Sequence, residues 1–67
     1  MPFAADRKTV DAASSLMMMY GSSAAAEALA RADVSRNRGN VIRFCHWRQV
    51  KHVIDALAGA GDGETLH

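Results

Sequence analysis

Cys45, His46 and His52 are the side chains whose types could hold a metal or drive nucleophilic chemistry. On a continuous helix Cys45 and His52 share a face. Seven residues at 1.5 Å rise, however, separate their backbones by ~10.5 Å, too far for one ion. Cys45 and His46 point about 100° apart. The ligands of an intramolecular zinc site are lacking, which leaves open only a metal shared across a symmetric dimer. A Cys–His nucleophile pair fails on the same geometry, because the base must reach the thiol. Ser14, Ser15, Ser22 and Ser23 lie near helix ends or on an exposed face, and no strand exists to launch a phosphate loop. The expectation is a protein that is not an enzyme, with no catalytic, cofactor or metal residue.

Charge offers a second kind of chemistry. The net charge of +1 is small, yet Arg31, Arg36, Arg38, Arg43, Arg48 and Lys51 face only Asp33 within that span, and the C-terminal end is acidic. Such asymmetry marks either a solvated surface around a turn or a face for an anionic partner. Arg36, Arg38, Arg43, Arg48 and Lys51 are the candidate anion or nucleic-acid contacts, with Asn40 at a helix N-terminus.

These groups must be positioned by helices. The stretch Asn40–Leu57 places His46, Trp47, Val50, Val53, Ile54 and Leu57 on one side at 100° per residue, and Arg48, Lys51, His52 and Asp55 opposite. A first helix from about 7 to 20 follows an Asp6 N-cap and ends at Gly21. Val10, Ala13, Leu16, Met17 and Tyr20 share its inner face. A second helix from about 24 to 38, capped by Ser22 or Ser23, is rich in alanine, the residue of highest helix propensity. Its close-approach face is expected to be Ala25, Ala28, Leu29 and Ala32, with Glu27 and Arg31 paired at i,i+4. Gly39 ends it and Asn40 caps a third helix, from about 41 to 58, that stops at Gly59.

The expected fold is therefore all-α, a small three-helix bundle in one domain spanning residues 1–58. It has a short N-terminal arm (1–5) and a flexible C-terminal tail (59–67). Leu16, Leu29, Trp47, Val50, Ile54 and Leu57 form its expected core, and truncating a packed Trp47 to alanine would cost ~3–5 kcal/mol. A 67-residue chain with one cysteine has no staple, a situation that favours oligomerisation.

Met17-Met18-Met19 cannot all be buried on one stripe. Either Met18 and Met19 form an adaptable contact surface with Tyr20, or the first helix lies between two others; the former is preferred. His46, on the apolar side, is either a half-buried structural residue or a pH-sensitive interface contact.

Leu16, Tyr20-Gly21, Ala24, Ala28, Ala30-Arg31-Ala32-Asp33, Gly39, Trp47, Val50, Ile54 and Leu57 together resemble a group of short bacterial three-helix proteins of alphaproteobacterial type. The resemblance covers about residues 10–58. It implies a three-helix fold and a small cytosolic protein, and supplies no catalytic residue. The basic Arg36-Asn37-Arg38-Gly39-Asn40 turn departs from the acidic character usual in that group, which favours an anionic partner.

The function expected from these features is a non-enzymatic interaction or assembly protein, self-associating or docking on a protein. The alternative is a small nucleic-acid-binding regulator using the basic 31–51 region. No secretory h-region or membrane-length apolar run appears, and a lone thiol suits a reducing compartment, so the expected location is cytoplasmic.

Overall fold

The computed structural model describes the backbone of residues 6–62 and side chains through 59. The fold is all-α, with no strand among the described residues. Helix α1 (Arg7–Tyr20) leads through a single 3-10 turn (Gly21–Ser23) into α2 (Ala24–Asn37), and a tight turn then enters α3 (Val41–Asp62).

Local chemistry accounts for the breaks. Asp6 caps α1 by accepting hydrogen bonds from the Thr9 amide at 3.0 Å and the Thr9 hydroxyl at 2.7 Å. Gly21 and Gly39 carry positive φ angles of 56° and 74°, a region that costs little without a Cβ. Asn40 Oδ1 accepts from the Arg43 amide at 3.1 Å, so it caps α3 as its position suggests. Neither expected serine performs that service for α2. Ser23 occupies the N-cap position without a side-chain hydrogen bond, because the 3-10 turn runs straight into the helix.

The Thr9 hydroxyl, then its amide, holds the Asp6 carboxyl below the usual carboxylate range. A depressed folded-state value means that the cap's contribution is full above the unfolded value of about 4 and is lost as pH falls through the lower folded one. Asp6→Asn, which still caps, should leave the thermal midpoint near its neutral-pH value but remove part of its decline in acid. Identical acid limbs for the two proteins would contradict this assignment.

Ala24, Ala28, Ala32 and Ser35 are the buried positions of α2. At 100° per residue their face is rotated roughly 50° from the expected Ala25/Ala28/Leu29/Ala32 face. Leu29 is consequently 41% exposed and is not a core residue. The reason is steric: an unbroken strip of small side chains lets two helices approach closely, whereas a leucine on that strip would hold them apart. Against the strip packs α3, which makes its most extensive helix–helix contact with α2. Ala13 and Leu16 from α1 close the core around Val50, Val53 and Ile54.

Leu57 also leaves the expected core, at 49% exposed. It lies on the buried stripe of α3, but α3's 22 residues span about 33 Å against about 21 Å for the 14-residue α1 and α2. No helix among the described residues covers the overhang. Rather than stopping at Gly59, α3 continues to Asp62. It crosses two glycines, Gly59 and Gly61, each costing about 1 kcal/mol against alanine, a local cost that does not break the helix. The expected tail thus begins later, and residues 63–67, like the N-terminal arm at 1–5, lie outside the described residues.

Trp47 is the third correction to the expected core. It is half-buried and packs beside the cluster rather than inside it, so the full-burial cost does not apply. The rotation of α2 explains this: the indole meets the Arg31 edge of the small-residue strip instead of its centre.

Candidate functional site

A concavity of about 670 Å³ lies between α2 and α3, running from the turn that joins them back to Glu27. Glu27, Ala30, Arg31, Val34, Ser35 and Arg38 line it from α2 and the turn, and Asn40, Arg43 and Trp47 line it from the turn and α3. Its walls are thus aliphatic and aromatic in part, with three guanidinium groups among them.

Those three arginines are not equivalent. Arg31 Nε donates to Glu27 Oε2 at 2.9 Å, and its guanidinium lies 5.1 Å from the Trp47 ring centroid, within cation–π range. The Glu27 carboxylate chiefly, with Tyr20 adding, holds the Arg31 proton more firmly than usual. Arg31 is therefore neutralised and pinned. Arg38 and Arg43 have no carboxylate within ion-pair distance among the described residues. The turn that carries them is fixed by backbone bonds, including Asn40 N to the Ser35 carbonyl at 2.9 Å. Ser35 Oγ is engaged with the Arg31 carbonyl at 3.0 Å.

Placement at helix ends sharpens the contrast. Arg38 closes α2, where a cation complements the negative end of the macrodipole. Arg43 lies in the first turn of α3, which holds no acidic residue. There the dipole opposes a positive charge by roughly 0.3–1 kcal/mol.

The remaining expected cations lie elsewhere. Arg36, Arg48 and Lys51 line a smaller concavity of about 340 Å³ on the other side of the α2–α3 pair, with Phe44 and His52. Arg36 lies 3.9 Å from Asp33, Lys51 is bonded to Asp55 at 2.7 Å, and Arg48 stands over the Phe44 ring at 5.6 Å. The five residues grouped by sequence are split into two sets, of two and three.

Met18 and Met19 are exposed, at 87% and 67%, and Tyr20 is 38% exposed. Around α1, Met18 has Arg7, Asp11, Ser14 and Ser15 as its face neighbours, a polar setting. His46 is half-buried, its ring 4.8 Å from that of Trp47 at an interplanar angle of 68°. Cys45 is exposed. No group of three His, Cys, Asp or Glu side chains suited to a metal occurs among the described residues. No helix among them is long and apolar enough to cross a membrane.

Sequence reasoning missed Arg31 and Val34 as site residues and placed Trp47 in the core. The Glu27–Arg31 spacing was a visible signal of a helical pair, but the Arg31–Trp47 contact depends on the rotation of α2 against α3, for which no local pattern exists. No protein-family model, curated protein or solved structure matches the chain.

Proposed function

We propose that this chain is a non-enzymatic docking module that binds a protein partner through the α2–α3 groove. The observation that carries the reading is the placement of two guanidinium groups without a carboxylate partner among the described residues, Arg38 and Arg43, beside Ala30, Val34 and Trp47 in one concavity. Aromatic and arginine side chains around an apolar centre are what protein interfaces favour. The unfavourable position of Arg43 at the start of α3 supports the same reading, since a partner's negative charge would offset it.

The nucleic-acid alternative is less well supported. A phosphate backbone is tracked by a continuous cationic surface, whereas the basic groups here lie on two sides of the α2–α3 pair and two of them are paired with carboxylates. Self-association through Met18, Met19 and Tyr20 rests on exposure alone.

The native mass of the protein in a lysate tests the reading. It should exceed that of one chain and return to the single-chain value for Arg38→Glu/Arg43→Glu, while Met18→Glu leaves it unchanged. A wild-type protein already at single-chain mass would overturn the proposal. A gel shift at ~50 mM salt that weakens steeply by ~200 mM would replace it with nucleic-acid binding.

A further inference from the structure

We propose that the segment taken by this groove is acidic, with carboxylates for Arg38 and Arg43 at the turn end and an apolar side chain against Val34 and Trp47, one helical turn further along; this rests on the docking reading. Charge complementarity selects the occupant. Of the three guanidinium groups in the groove, Glu27 already satisfies Arg31, so two cations remain to be matched. Arginine presents a planar fork of donors suited to carboxylate, and Ala30, Val34 and Trp47 supply an apolar wall in the same groove.

Glu27 then acquires a role beyond local helix stabilisation. Its carboxylate lines the same groove and occupies Arg31, so it acts as a resident competitor. It limits the number of negative charges that the groove accepts, and it repels an acidic segment that reaches its end. Glu27→Gln should free Arg31 and tighten acidic-peptide binding.

Trp47 is the chain's one tryptophan and lies in the groove wall, so its fluorescence reads occupancy directly. The experiment titrates the full chain with a short capped peptide rich in Glu and Leu, and with the same peptide carrying Gln for every Glu. The acidic peptide should shift Trp47 emission saturably, and its affinity should fall as salt rises from ~50 to ~200 mM. Arg38→Glu/Arg43→Glu should weaken it at least about tenfold, and Glu27→Gln should tighten it about two- to fivefold.

Arg43→Glu alone separates binding from folding. It should raise the thermal midpoint, because a negative charge suits the start of α3, while it weakens the peptide. Equal binding of the acidic and Gln peptides would overturn the carboxylate requirement and leave protein docking standing. Absence of any response to either peptide, a weaker peptide with Glu27→Gln, or a DNA duplex that displaces the acidic peptide would each overturn the proposal. The lysate mass measurement is independent of all of these, so docking itself can fail or survive separately.

Discussion

Leu16→Ala should lower the free energy of unfolding by about 2–5 kcal/mol, out of roughly 3–10 kcal/mol for a chain of this length. Leu16 is the largest buried side chain that α1 contributes to the core, and the cluster it belongs to also holds Ala13, Ala24, Ala28, Val50, Val53 and Ile54. Small and β-branched residues cannot swing into the space a leucine leaves, so most of the cavity would persist. Without Leu16, α1 would be held mainly by Ala13 and the half-buried Met17. The control is Leu29→Ala, the same chemical change at a 41% exposed position, where the loss should stay below about 1 kcal/mol. Urea titrations of both variants decide the matter. Equal losses would mean that α2 presents Leu29 to the core.

Ala28→Leu should destabilise by about 1–3 kcal/mol or more, through crowding rather than cavity formation. Ala28 is fully buried at the centre of the strip that also holds Ala24 and Ala32. A leucine there must force α2 and α3 apart or leave its preferred rotamer, and either response disturbs Val50 and Ile54. Ala26→Leu adds the same atoms on the exposed side of α2 and should be nearly neutral, since leucine and alanine both favour helices. Thermal melts of the pair separate packing from helix propensity. Because the groove is bounded by the same two helices, Ala28→Leu should also disturb Trp47 emission in the folded protein, whereas Ala26→Leu should not.

The helices themselves were legible because their signals are local. Asp6 before α1, Gly21 and Gly39 at positive φ, and Asn40 before α3 each act within three or four residues, the range over which a cap or a turn is determined. The inner faces of α1 and α3 were legible in their middles, at Leu16, Val50 and Ile54, where large apolar residues recur at helical spacing. α2 was not. Six of its first nine residues are alanine (Ala24, Ala25, Ala26, Ala28, Ala30 and Ala32), so its circumference carries little hydrophobic contrast, and Leu29 drew the expected face toward itself.

What the sequence by itself determined is where this chain is helical, where it turns and which residue types could do chemistry. Only the tertiary structure decided that Leu29 and Leu57 lie outside the core, that Trp47 walls a groove beside Arg31, and that the basic residues separate into two sets. The physical reason is that rotation and overlap between helices are set by which surfaces approach most closely. That is a property of two elements together and is written in neither alone.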